Sequence, residues 1–156
     1  MFSVRFVHRF LVVATVVIGS WPSSATAVEF SKARLVVVTT AGEVALDIEV
    51  ARTASQRNQG LMFRTELMPN AGMLFVYDSP GTVSMWMKNT ILSLDMLFIA
   101  TDGRIARIVA HTLPMSETVI GSRGTVRAVL ELNAGTAKKL DIKAGDHIDL
   151  TPFLPP

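Results

Sequence analysis

The sequence predicts a mainly β domain, either a β-sandwich or a partly closed β-barrel of about eight strands with two short helices. Two observations lead to this fold class. Apolar and polar residues alternate with a period of two in several segments, as in half-buried strands, whereas helical periodicity is confined to two short stretches. The chain of 156 residues contains no cysteine, so its core is expected to be stable without disulfides or thiolate metal sites.

The first 27 residues are predicted to be a cleavable secretory signal. Two arginines within the first nine residues precede a short apolar run from Phe10 to Ile18. Small residues at Ala25 and Ala27 then fit a signal peptidase that cuts before Val28. The apolar run is too short for a membrane-spanning helix, which needs about 20 residues. We therefore expect residues 28–156 to be a single domain in the periplasm or the medium.

The charge of this predicted mature domain excludes one class of partner. Cleavage removes Arg5 and Arg9, which leaves 13 basic residues against 13 acidic ones. Because binding to phosphate backbones needs a clustered positive charge, no nucleic-acid partner is predicted. No cysteine is available for lipidation, so no membrane partner is expected after the signal is removed.

The strands are predicted from the alternating segments in chain order. Alternation is clearest from Val44 to Val50, and Leu35–Thr39 precedes it across Ala41-Gly42, so the two segments predict an opening hairpin. The tight-turn pair Asp102-Gly103 separates two later strands. The remaining predicted strands are Met73–Tyr77, Val83–Thr90, Leu94–Ala100, Arg104–Ala110, Arg127–Leu132 and His147–Thr151.

Two short helices complete the predicted elements. The first begins at Thr53, a suitable N-cap residue, and extends to about Met62, and the second covers about Ala134–Leu140. The segment Leu113–Thr125 contains a proline and two glycines without periodicity. It is predicted to be a long loop, and loops of this length are more often functional than connecting.

An ordered series of short motifs spans nearly the whole predicted mature domain. The series is Arg57-x-x-Gly60-Leu61-Met62-x-Arg64-x-x-Leu67, Gly72-Met73-Leu74-Phe75, Met85-Trp86-Met87-Lys88-Asn89-Thr90, Leu94-Asp95-Met96-x-Phe98-Ile99, Asp102-Gly103, Val129-Leu130-Glu131 and Gly145-Asp146. It resembles the domain-of-unknown-function 192 family (DUF192), with Ser93 where that family usually has proline. The resemblance implies a compact, β-rich and often exported domain. It brings no established reaction, ligand, cofactor or site residue.

The first candidate site is the pair Arg57 and Arg64. Both fall on one face of the predicted first helix, about two turns or about 10 Å apart, with Gly60 between them. Glycine is unfavourable inside a helix, so Gly60 indicates the close approach of another group to the backbone. The arginines either form structural ion pairs beside a packed strand or bind an anion or carboxylate between them.

The second candidate site consists of polar residues within apolar segments: Trp86, Lys88, Asn89, Asp95 and Glu131. A charge in such a strand needs a partner. Antiparallel pairing of the two segments that carry Lys88 and Asp95 would place these residues opposite each other, on the same sheet face as Trp86. Glu131 is expected to approach from a neighbouring strand. The set predicts either a structural ion pair or a polar pocket beside Trp86.

Six methionines lie between Met62 and Met96, and Met85-x-Met87 resembles a soft-metal site. Core packing explains them better, because they adjoin leucine, phenylalanine and tryptophan and no histidine or cysteine is near. Met85, Met87, Met96 and Phe98 are therefore predicted core residues. No metal and no cofactor is predicted.

The function favoured by these patterns is non-catalytic binding of a small polar or anionic ligand, with saccharides among the candidates. An alternative is an acid–base hydrolase of envelope polysaccharide that uses Asp95 and Glu131, since paired carboxylates are the minimum for glycoside cleavage. A third hypothesis is a protein-interaction module, which would show an exposed apolar patch. The candidate ligand-binding residues are Arg57, Arg64, Trp86, Lys88, Asn89, Asp95 and Glu131.

Overall fold

A computed structural model describes residues 27–154, so the predicted signal lies outside the described residues except for Ala27. This part of the chain is mainly β, with two short α-helices, as predicted. Its strands are β1 (Ser31–Thr39), β2 (Gly42–Ala51), β3 (Ala71–Gly81), β4 (Ser84–Met85), β5 (Leu94–Ile99), β6 (Ile105–Val109), β7 (Ile120–Gly121), β8 (Val126–Asn133) and β9 (His147–Ile148). The helices are α1 (Ala54–Gln59), α2 (Thr136–Lys139) and a final 3-10 helix (Thr151–Phe153).

Seven strands form one sheet that curls into a nearly closed barrel. Their order is β6-β5-β8-β3-β2-β1-β9, and β2 with β3 is the parallel pair among otherwise antiparallel neighbours. The two ends of the sheet meet where Arg104 forms a bridge with His147 and the Ile148 N–H donates to the Gly103 carbonyl at 2.9 Å. Of the two predicted architectures, β-sandwich and partly closed β-barrel, the structure has the barrel.

The opening hairpin is confirmed. Strands β1 and β2 pair from Ser31↔Val50 to Thr39↔Gly42. Side chains on one face, Leu35 and Val37 among them, are fully buried, while their neighbours are exposed. The period-two alternation thus gives the burial pattern expected of a strand with one solvent face.

The two faces of the sheet carry separate apolar cores. Leu74, Leu97 and Leu130 belong to the core on the inner face, because alternate residues of a strand point to the same side. The intervening residues form the second core on the outer face, which α1 and the segment around β4 cover. Its buried members include Met73, Phe75, Met96, Phe98 and Val129.

The methionine prediction is confirmed in part. Met87, Met96 and Phe98 are at most 1% exposed and belong to the outer core. Met85 is half-buried and packs at the edge of that core. Among residues 27–154, no helix is long and apolar enough to cross a membrane.

The first helix begins as predicted but ends earlier. Thr53 and Gln56 form a capping box at its start. Gly60 then takes a φ of +47°, which ends the helix at Gln59 instead of Met62. A Cβ at Gly60 would lie 3.0 Å from the ring of Phe75. The Phe75 side chain of β3 therefore leaves little space for a side chain at position 60. This agrees with the prediction that another group approaches the Gly60 backbone closely.

The predicted strand Val83–Thr90 is mostly irregular, and this changes the expected pairing. Only Ser84–Met85 is a strand, and it pairs with β7, which lies inside the predicted long loop. A turn closed by the Thr90 N–H to the Met87 carbonyl, with Asn89 at a φ of +53°, breaks the extended conformation. Strand β5 pairs with β6 and β8 instead, so the predicted register of Lys88 opposite Asp95 is wrong.

Candidate ligand-binding site

A cavity of about 280 Å³ lies on the outer face of the sheet, between the end of α1, strands β3 and β8, and the segment that contains β4. Three kinds of group converge on it: a buried carboxyl, aromatic and thioether side chains, and hydroxyl groups. The lining includes Arg57, Tyr77, Met85, Trp86, Thr90 and Glu131.

Glu131 is the buried acid of this cavity. It lies in β8 between Met73 of β3 and Met96 of β5, both fully buried, and is itself 4% exposed. Burial raises the pKa of its carboxyl group from 4.5 to about 8. No residue in the described part of the chain makes a salt bridge with it, and no neighbouring charge counteracts the burial. Glu131 is therefore a carboxyl group without a protein cation.

Tyr77 and Arg57 form one wall of the cavity. Burial raises the pKa of the Tyr77 hydroxyl to about 12; the positive charge of Arg57 lowers it and Glu131 raises it further. The hydroxyl donates to the Met85 sulfur at 3.4 Å. Tyr77 is thus a neutral donor that stands close enough to Glu131 to sense its charge.

The Arg57 guanidinium is held by other partners. It lies 5.3 Å from the centre of the Tyr77 ring, donates to the Val76 carbonyl at 3.0 Å and to the Arg52 carbonyl, and stands 3.7 Å from the Asp78 carboxylate. The two hydrogen bonds use Nη1, and together with the Asp78 contact they make Arg57 a structural brace between α1 and β3. This matches the structural alternative for Arg57.

Trp86 and Lys88 lie at the rim. Trp86 lines the cavity and is 50% exposed. The Lys88 Nζ stands 5.6 Å from the Trp86 ring centre and 3.9 Å from the Glu117 carboxylate, outside the lining. Asn89 is also outside the lining; its carbonyl accepts from the Phe63 N–H at 2.8 Å and so joins two turns. Of these three predicted residues, Trp86 alone contributes to the cavity.

Arg64 belongs to a different part of the molecule. It pairs with the Glu49 carboxylate, lies 5.6 Å from the Phe30 ring and lines a second depression of about 760 Å³. Because α1 ends before Gly60, Arg57 and Arg64 do not share a helical face. The predicted arginine pair around one anion is therefore wrong.

Asp95 is a structural residue on the other face of the sheet. It is fully buried, and its two carboxylate oxygens accept the N–H groups of His111 and Ala137, each at 3.0 Å. The adjacent residue Met96 is the one that pairs with Glu131, so Asp95 points to the opposite face. The pairing of Asp95 with Glu131 that a hydrolase would need is not formed.

Several cavity residues were missed by the sequence prediction. Tyr77 and Phe75 follow Met73 at intervals of two in β3, so they share the face of Glu131. The alternation within β3 can be seen in the sequence. The pairing of β3 with β8, which brings these residues beside Glu131, cannot. Thr90 and Gly60 come from irregular turns, for which no periodic signal exists. Within the described ranges, no group of three or more His, Asp or Glu residues is placed to hold a metal ion.

Comparison with known proteins identifies one matching family and two similar solved structures. A family model, DUF192, described as Uncharacterized ACR, matches residues 36–150. A structure from Sinorhizobium meliloti 1021, named as a candidate transcription regulator, is 48% identical, with a TM-score of 0.76 over 79% of this chain and 96% of that one. A protein of unknown function from Novosphingobium aromaticivorans DSM 12444 is 35% identical, with a TM-score of 0.74 over 84% of this chain and 99% of that one. The search of curated proteins finds no match.

Proposed function

This chain belongs to the uncharacterised DUF192 family, and we propose that it is an exported protein that binds a small polar ligand in the cavity at Glu131 without changing it chemically. The buried and unpaired carboxyl group of Glu131 is the observation that carries this proposal. Buried charged groups in proteins are normally paired, and no ion pair to Glu131 is formed within residues 27–154. Because Glu131 lines the cavity, a ligand bound there can donate hydrogen bonds to its carboxyl group.

The size and the walls of the cavity support a small ligand. Its volume of about 280 Å³ is at the lower end of the range for small-molecule sites. Trp86 offers an exposed ring on which a flat or sugar-like face can stack, and Tyr77 offers a hydroxyl. Arg57 has an ion pair with Asp78, whereas Glu131 has none within residues 27–154, so a ligand that donates to Glu131 is favoured.

Binding is favoured over hydrolysis because the second carboxylate is missing from the cavity. Glycoside cleavage needs two carboxyl groups that flank one bond, about 5 to 10 Å apart. Asp95 is held by two backbone N–H groups on the other face of the sheet, and Arg57 and Glu131 are the charged residues of the cavity lining.

A role in DNA binding is not carried over from the Sinorhizobium meliloti protein. Residues 28–156 hold equal numbers of basic and acidic side chains. Without a concentration of positive charge, the electrostatic part of DNA affinity is small.

Export is proposed from the order of residues 1–27 alone. A positively charged start, a short apolar run and small residues before Val28 follow one another as in secretory signals. The ligand would then be met in the periplasm or outside the cell, where envelope saccharides are available.

Ligand binding is tested by a thermal-shift screen of the purified protein against simple sugars, amino sugars, amines, carboxylates and phosphates. A ligand that binds the native state raises the melting temperature. We expect at least one class to do so, and we expect Trp86→Ala to reduce the shift. Ile91→Ala, at an exposed apolar residue outside the cavity lining, is the matched control and should leave the shift unchanged. No shift with any class would contradict the proposal.

A second candidate function is protein interaction, because apolar side chains near the cavity are exposed. The turns that carry Phe63 and Met115 both hydrogen-bond to the Asn89-Thr90 backbone, so they lie side by side. Phe63 and Leu113 are 70% and 71% exposed. Self-association measured by light scattering, and weakened by Leu113→Ser, would support this function; a monomer at all concentrations would argue against association between copies.

A further inference from the structure

We propose that the ligand of the Glu131 cavity carries a protonated amine, and that its ammonium group is bound by the Glu131 carboxylate within walls of aromatic and thioether side chains. This inference rests on the proposed function and names the chemical class that the site recognises.

Glu131 has no ion-pair partner within residues 27–154. An ionised carboxylate in a buried site needs a positive partner. Without one, burial raises the pKa of Glu131 to about 8, so it keeps its proton up to about pH 8, and an ammonium group beside it would favour the ionised form. Arg57 lines the cavity and Lys88 lies at its rim, and each has other contacts. Arg57 donates to the Val76 and Arg52 carbonyls and faces Asp78, and Lys88 lies at the rim between Trp86 and Glu117. A positively charged ligand would supply the partner that the protein does not.

The walls of the cavity include aromatic and thioether side chains. Phe75 and Tyr77 come from β3, and Met85 and Trp86 come from the segment that contains β4. Ring faces attract ammonium groups, most strongly where water is excluded. Arg57 is the positive group of the lining, and its Nη1 already donates to two backbone carbonyls. The combination of ring faces with one buried carboxyl group thus favours a cation over a neutral or negative group.

An ammonium group has three hydrogen-bond donors and needs acceptors around it. Glu131 offers two carboxylate oxygens, and Thr90 and Ser84 line the same cavity with hydroxyl oxygens. The volume of about 280 Å³ restricts the ligand to a small amine or a single amino sugar.

The test compares matched pairs of compounds that differ in the ammonium group: glucosamine with glucose, and butylamine with 1-butanol. Affinities for the purified protein are measured by calorimetry at neutral pH. We expect the amine of at least one pair to bind at least about tenfold more tightly than its neutral partner, the factor that a charge-assisted hydrogen bond gives.

The Glu131→Gln variant assigns that preference to the carboxyl group. It should retain the fold and lose the preference for the amine, while Glu43→Gln, at an exposed position of β2, should behave as the wild type. Equal binding of amine and neutral partner, or a preference that survives in Glu131→Gln, would overturn the ammonium assignment and leave ligand binding intact. Binding of none of the four compounds, together with no shift in the wider screen, would overturn both proposals.

Discussion

The carboxyl group of Glu131 couples proton binding to folding. Its pKa is about 8 in the folded chain and 4.5 in the absence of burial, so the folded state holds the proton over a range in which the unfolded state has released it. The contribution of Glu131 to stability is therefore fully present below about pH 4.5 and falls as the pH rises to about 8, by up to about 1.4 kcal/mol per pH unit.

This gives a prediction for Glu131→Gln. The variant should be more stable than the wild type near pH 8, and its free energy of unfolding should change less with pH, because glutamine does not ionise. Urea unfolding at several pH values between about 5 and about 8 measures this difference. Glu43→Gln serves as the control, since that residue is exposed. Parallel pH profiles for wild type and Glu131→Gln would show that the carboxyl is not buried in solution.

Asp95 is predicted to stabilise the fold and not to contact the ligand. Asp95→Ala leaves the buried N–H groups of His111 and Ala137 without acceptors, which should cost about 2–4 kcal/mol of unfolding free energy. Asp95→Asn keeps one acceptor oxygen and should cost less. Chemical denaturation gives both values. A loss of ligand affinity in the folded Asp95→Asn variant, without a loss of stability, would contradict this assignment.

At the scale of single elements, Gly60 joins helix α1 to the cavity. Its φ of +47° and its contact with Phe75 both disfavour a side chain. Gly60→Ala should therefore destabilise the protein by about 1–3 kcal/mol. Gly124→Ala, where a Cβ would meet open space, is the matched control and should have little effect. Equal melting temperatures for the two variants would show that the end of α1 adapts freely.

The elements that were predicted correctly are those whose conformation is determined by residues close to one another in the sequence. The hairpin of β1 and β2 follows from alternation, and the start of α1 follows from the capping box of Thr53 and Gln56. The segment around β4 was predicted wrongly because its apolar residues resemble a strand, whereas Asn89 adopts a turn that only the surrounding structure selects. Trp86 and Glu131, which were predicted as candidates from their chemistry, both line the cavity. Asp95 and Glu131 lie on opposite faces of the sheet because of how β5 pairs with β8. The alternation of residues within each strand does not show this pairing.

For the whole molecule, the proposed export gives a prediction for the N-terminus of the mature chain. If the peptidase cuts as the small residues at Ala25 and Ala27 indicate, the exported chain begins at Val28. Intact-mass spectrometry of the protein recovered from the periplasm or medium should give the mass of residues 28–156. A mass that includes the apolar run from Phe10 to Ile18 would instead identify that run as an anchor.

The meeting of the two sheet ends at β9 has a consequence for the order of folding. Strand β9 is the last in the chain, yet it pairs with β1 and bridges to the residues before β6. Until His147 and Ile148 have been synthesised, β1 and the start of β6 each present an unpaired edge, and exposed strand edges recruit other chains. The final closure joins segments that are far apart in sequence, which is intrinsically slow. A chain halted before β9 should therefore be prone to aggregation through both edges.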